Sequence, residues 1–180
     1  MKIPITLDFE TMPIQGNPVL QAPEPIGLAV WEQGHDPYYH TDLETLAKLC
    51  HDLWKYPHGV LFHNAPFDLS VAEQNLGVPW PSWEQIHDTQ ILVFHYDPHG
   101  DLALKPASER ILGLDPEERD ELHEWIIANV PEARRRPSSA GAYIYKAPLE
   151  LVEPYAIGDV ERTWYLYEHI MNDQERMYRL

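Results

Sequence analysis

Residues 3–11 read IPITLDFET. Ile3, Ile5, Leu7 and Phe9 alternate with Thr6, Asp8 and Glu10, the period of a strand with one apolar face and one polar face. Two carboxylates two residues apart on a strand point the same way, within reach of a shared cation, and hard divalent metals take oxygen ligands. The same pair also fits a solvated strand edge. Its position inside an apolar strand, at the start of the core, is what separates Asp8 and Glu10 from such an edge.

Beyond a Pro/Gly loop at 13–18, the apolar run at 26–31, the turn-like segment 33–37 and the segment 38–41 predict a hairpin. Leu43, Leu46, Ala47, Cys50, Leu53 and Trp54 recur at helical spacing behind a cap at Thr41 or Asp42, which predicts a crossover helix running to about Lys55. Gly59 to His63 reads as a short central strand, Asp68 to Leu76 as a helix stopped by Gly77, and Gln85 to Asp88 as a strand-like element. Leu102 to Leu112 and Pro116 to Asn129 read as helices, the second opening on a proline followed by acids. The segment 131–148 carries Arg134, Arg135 and Arg136 among prolines and SSAG, and is expected to be a mobile basic loop. Leu149 to Leu180 is one long helix or two, with Val152, Tyr155, Asp159, Thr163, Tyr167 and Ile170 near one stripe. Strands, a crossover helix, another strand and then helices predict a three-layer α/β domain. The 180 residues form one domain with one core.

With 29 acidic against 13 basic residues the formal net charge is −16, which opposes nonspecific attraction to a long duplex. An acidic protein can still act on a nucleic-acid end when bound metals reverse the sign of its site. Cys50 is the only cysteine, so an intrachain disulfide and a cysteine zinc site are excluded, and a reducing intracellular compartment such as the cytoplasm fits. Cys50 itself reads as a small buried hydrophobe. No stretch approaches the roughly 18 apolar residues of a membrane span, so no membrane partner is expected.

Two further segments carry acids: HNAPFD, residues 63–68, and YAIGD, residues 155–159. Asp68 falls in the first turn of a helix, where free N–H groups favour a carboxylate with or without a metal. Asn64 is either a turn residue or a hydrogen-bonding partner for substrate, and His63 either a structural histidine or part of the site. Tyr155 and Asp159, four apart on a predicted helix, project from one side. A carboxylate on an apolar helix face is costly unless it is paired or binds metal. Tyr155 alone fits a core residue anchored by its hydroxyl equally well. If the fold brings the three segments together, Asp8, Glu10, Asp68 and Asp159 form a carboxylate cage for two divalent cations against a phosphodiester.

In order, TLDFET, HNAPFD and YAIGD resemble the three exonuclease motifs of the DnaQ-like 3′-to-5′ exonucleases, in the subclass whose last motif places tyrosine four residues before aspartate. HDTQIL at 87–92 and LALKPASERILG at 102–113 resemble segments of the proofreading domains of family-A DNA polymerases. The resemblance implies a ribonuclease-H-like fold, a mixed five-stranded sheet flanked by helices. It implies that Asp8, Glu10, Asp68 and Asp159 hold two Mg2+ or Mn2+ ions and that Tyr155 orients the attacking water. A phenol titrating near about 10 is a poor base at neutral pH, so aiming the water suits it better than taking its proton. By the same resemblance Thr11 and Met12 border the terminal nucleotide, and His63, Asn64 and Phe67 contact or frame the substrate strand.

The implied substrate is the 3′ end of single-stranded or frayed DNA, since no base pair need then be opened, and the implied partner is an attached or associated DNA polymerase. Two rivals stand beside this reading. An exoribonuclease of the same superfamily shares all four acids and the tyrosine, and differs in how its pocket treats a 2′-hydroxyl. A noncatalytic domain on the same fold would use the acidic surface for protein contact. Arg134 to Arg136 either hold phosphates of the incoming strand or form a solvated loop; Tyr143 and Tyr145 either stack on bases or pack.

Overall fold

A computed structural model describes residues 3–114 and 117–178, the side chains of 117–120 and 174–178 excepted. The strand β1, Ile5–Thr11, is central. It pairs antiparallel with β2, Pro25–Trp31, which pairs antiparallel with β3, Tyr38–His40, as the expected hairpin. On its other side β1 runs parallel to β4, Val60–Phe62, and β4 parallel to β5, Ile86–Asp88, giving the order β3-β2-β1-β4-β5.

The two faces of β1 go to different layers. Ile5, Leu7 and Phe9 are buried with Leu28, Val30, Val60 and Phe62 against helices α1, Leu43–Leu53, and α2, Ala65–Leu76. Fully burying such a side chain is worth about 1.5–3 kcal/mol, so this layer fixes the strand's register and with it the direction of the alternate residues. Those alternate residues, Thr6, Asp8 and Glu10, turn toward the long helix α7, Leu149–Tyr178, whose Ala156, Val160, Trp164 and Tyr167 pack on Ala29 and Leu61. The result is a three-layer α/β domain with a mixed five-stranded sheet.

Asp42 caps α1, accepting from Thr45 N–H at 2.8 Å. Cys50 is fully buried beneath α2, and burial pushes its thiol up to about 12. The helix α2 starts three residues earlier than the spacing predicts: Asn64 takes a left-handed φ of 72°, and Pro66 follows in the first turn, so the chain leaves β4 and enters the helix at once. The helix α3, Thr89–Tyr96, follows β5 and is absent from the pattern reading. Its sequence TQILVFHY is apolar around the whole barrel and shows no 3.6-residue stripe.

Helix α4, Leu104–Leu112, packs Leu104, Ala107, Ile111 and Leu112 with Leu166 and Ile170 of α7. Helix α5, Glu117–Asn129, matches the expected helix; the expected first residue, Pro116, lies outside the described residues. In 131–148 the chain forms helix α6, Pro131–Arg135, and 3-10 turns over Pro137–Lys146. Ala133, Ala140 and Ile144 are buried there against Leu122, Ile126 and Val152. Arg134 is exposed and donates to the carbonyls of Ile127 and Ala128 near the end of α5. Tyr143 packs against the same cluster, and Lys146 lies over Tyr143 and Tyr145 at 5.3 and 5.8 Å from the ring centroids. Among the described residues, no helix is long and apolar enough to cross a membrane.

Candidate active site

Asp8 and Glu10 from β1 and Asp159 from α7 each present an oxygen, and these three atoms lie within 4.8 Å of one another. Oxygen ligands at about 2.0–2.6 Å around one ion span such distances. The strand pattern and the helix spacing meet here: β1 aims two carboxylates off one face, and α7 crosses that face with Asp159. Glu10 and Asp159 are buried; Asp8 is partly exposed.

Asp68 lies outside that 4.8 Å cluster and is placed beside β1 by a different route. The β1–β4 ladder ends at Thr6 and Leu61 while β1 runs on to Thr11. Beyond that point the backbone of β1 lacks a strand partner on this side. The first turn of α2 fills the gap, and the Asp68 carboxylate accepts from Phe9 N–H at 2.9 Å. Asp68 is 1% exposed. The site thus sits at the carboxyl ends of two parallel strands, the crevice where open α/β sheets place ligands.

The acids destabilise one another. Burial, then Asp159, pushes the Asp8 carboxyl up to about 8, with Lys105 opposing. Burial, then Asp8 and Asp159, raises Glu10 well above the usual carboxylate range, and burial and Asp8 do the same to Asp68. The donors are all carboxylate oxygens, and one ammonium faces them, so the cluster is short of positive charge. That chemistry fits hard divalent cations, with Asp8, Glu10, Asp159 and Asp68 as the residues to hold them.

Lys105, which the motif reading passed over, enters from α4. Its Nζ lies 2.8 and 3.1 Å from the two oxygens of Asp159 and 3.4 Å above the ring centroid of Tyr155. A signal was present: lysine in the first turn of a helix opposes the helix dipole, so such a residue needs another reason to be there. Asp88 was passed over too. At the end of β5 it accepts from the backbone N–H groups of Asn64, Ala65 and Gln90 at 3.0, 2.9 and 2.8 Å, pinning the turn that delivers Asp68. A third such residue is Tyr39, whose ring lies across Gly27, the strand partner of Glu10. Its hydroxyl has no hydrogen-bond partner among the described residues, and burial, then Glu10 and Asp8, holds the phenol above its ordinary range.

The expected substrate residues divide. Thr11 follows Glu10 across a register shift in the β1–β2 ladder, and bulges of this kind re-aim side chains beside active sites. Met12 is held by a backbone bond to Glu24 and lines a groove of about 360 Å³ with Gln15, Gln21, Pro23 and Asn75. Asn64 is exposed, and Phe67 packs against the core layer of α1 and α2. In His63 one ring nitrogen meets Thr89 Oγ1 and the other the Leu102 carbonyl, both at 2.8 Å. Both polar atoms are thereby engaged in joining the end of β4 to α3 and to the approach to α4.

The strand order, the helices on both faces and the acids at the end of the central strand define a ribonuclease-H-like α/β domain. Among solved structures the chain is similar to RNase D of Trypanosoma brucei, described in complex with GMP, with a TM-score of 0.67 and 16% sequence identity. The match covers 94% of this chain and 51% of that one, so the chain spans about half the length of that protein. Neither a protein-family model nor a curated protein matches the sequence.

Proposed function

We propose that the domain is a metal-dependent 3′-to-5′ exonuclease that hydrolyses phosphodiester bonds at single-stranded or frayed ends and releases nucleoside 5′-monophosphates. The observation that carries this reading is the convergence of Asp8, Glu10 and Asp159 within 4.8 Å, beside Tyr155 one turn away on α7. The similarity in fold to RNase D supports it.

In this reading Asp8, Glu10, Asp68 and Asp159 hold two divalent ions, Mg2+ or Mn2+. When bound, such ions lower the pKa of water and stabilise charge on the attacking and leaving oxygens. The protein supplies placement. Asp68, tied to the backbone of β1, and Asp159, paired with Lys105, keep their carboxylates in fixed directions. Tyr155, with Lys105 against its ring, directs its hydroxyl to orient the water. Thr11 and Met12 border the terminal nucleotide, and Asn64 and Phe67 frame the strand.

DNA is the first substrate reading, with a proofreading role beside a polymerase, because 87–92 and 102–113 resemble family-A proofreading domains. RNA is the second, because the structural neighbour is an RNase D. The test is Mg2+- or Mn2+-dependent digestion of matched single-stranded DNA and RNA labelled to report end and polarity, with Asp8→Ala as control. Stepwise loss from the 3′ end, abolished by the substitution, is the expected result. Faster loss of RNA assigns an exoribonuclease. No metal-dependent release from either polymer would overturn the catalytic reading in favour of a noncatalytic protein-binding domain.

A further inference from the structure

The lysine of α4 is placed against the interests of its own helix. Lys105 lies in the first turn, beside the positive end of the dipole, and is 9% exposed. Burial of a lysine costs hydration and rotamer freedom. The neighbours Leu104, Ala107, Ile111 and Leu112 also pack α4 on α7 through apolar contact. What offsets the cost is the acid cluster: Nζ meets both oxygens of Asp159 and covers the face of Tyr155. Those two residues are one turn apart on α7, and a single ammonium from another element touches both.

We propose that Lys105 is a positioning residue of the active site, clamping the Asp159 carboxylate and the Tyr155 ring into one fixed relation so that metal and water are presented together. The proposal rests on the exonuclease reading and adds to it a residue outside the three acid motifs. Its physical content is that Lys105 matters for turnover more than for metal affinity. An ammonium against a carboxylate cluster competes with divalent cations electrostatically, so its removal leaves Mn2+ binding as tight or tighter. The same removal frees the Tyr155 ring and the Asp159 carboxylate to rotate, and small misplacements of this kind cost about 100-fold in rate.

The experiment uses the whole chain with Lys105→Met, which keeps the apolar stem, and Lys105→Gln, which keeps a hydrogen-bond donor near Asp159. Mn2+ binding is followed by electron paramagnetic resonance, thermal unfolding is recorded without metal, and kcat and KM are measured at saturating Mn2+. Both variants are expected to bind Mn2+ at least as tightly as the parent and to lose about 10- to 100-fold in kcat with KM within about twofold. In a Tyr155→Phe background the substitution at 105 is expected to cost much less, because residues acting as a unit are not additive. Either variant turning over as fast as the parent overturns the proposal. So does a loss of Mn2+ affinity together with a lower unfolding temperature, which marks a structural prop. A parent that binds Mn2+ and releases no nucleotide from DNA or RNA instead sinks the exonuclease reading, and the proposal with it.

Discussion

The carboxylate of Asp68 accepts a 2.9 Å hydrogen bond from the backbone N–H of Phe9, so one acid of the site also closes an open position in the sheet. Asn at 68 can still accept that bond through its side-chain oxygen, but it loses the charge. Asp68→Asn is expected to fold with unchanged or raised thermal stability in the absence of metal and to be inactive. Asp68→Ala is expected to lose about 1–3 kcal/mol, because a buried N–H is left unpaired. Chemical denaturation of the two variants side by side checks the contrast; equal stabilities would show that the Phe9 bond is unimportant.

Stability without metal should fall as pH rises. Asp8 is pushed up to about 8, burial first and Asp159 second, and Glu10 and Asp68 are raised in the same sense. A carboxyl with a folded pKa above its unfolded one keeps a proton in the native state that the unfolded chain has released. Its stabilising contribution is complete below about 4, the unfolded value, and is lost as pH rises through about 8. Added Mn2+ restores what ionisation removes. The metal-induced rise in unfolding temperature is therefore expected to be larger at about pH 8 than at about pH 5.5, and scanning calorimetry at both values reads it directly.

Tyr155→Phe keeps the ring beneath Lys105 and removes only the hydroxyl. The variant is expected to retain stability within about 1 kcal/mol and to lose about 100-fold in kcat with Mn2+ affinity unchanged. A stable variant with parental kcat would remove Tyr155 from the chemistry.

Gly27 is needed for what lies over it. A Cβ there would collide with the phenol ring of Tyr39, and the strand partner of Gly27 is Glu10. Gly27→Ala is expected to destabilise the fold by about 1–3 kcal/mol through overpacking. Adding Tyr39→Ala removes the ring that the new methyl meets and should recover part of that stability, measured by chemical denaturation of the single and double variants.

Both ring nitrogens of His63 are engaged, to Thr89 and to the Leu102 carbonyl. His63→Phe is expected to lower stability by about 1–3 kcal/mol while leaving KM for a single-stranded substrate within about twofold. A selective rise in KM in a stable variant would return His63 to the substrate site.

The residues legible in advance were those whose chemistry and local period coincide. In β1 the period of two aims Asp8 and Glu10 together, and in α7 the spacing of four aligns Tyr155 with Asp159. Both features are local, and both stand in the structure as read. Lys105, Asp88 and Tyr39 were not legible because their partners are distant in sequence: Lys105 meets a residue 54 positions away, and Asp88 holds a turn 23 and 24 positions before it. Helix α3 was missed for the opposite reason, being so evenly apolar that periodicity had nothing to mark. In 131–148 the prolines and arginines read as a loop, yet Ala133, Ala140 and Ile144 find a core in α5 and α7, and tertiary burial overrides the local pattern.

The acids of the cluster come from segments far apart in the sequence, Asp8 and Glu10 on β1 and Asp159 on α7. A chain still emerging from a ribosome holds Asp8, Glu10 and Asp68 before Asp159 has been made, with nothing yet for them to converge on. The cage closes only after α7 has been made and has crossed the sheet, so the order of translation itself keeps the unfinished chain from assembling its complete acid set.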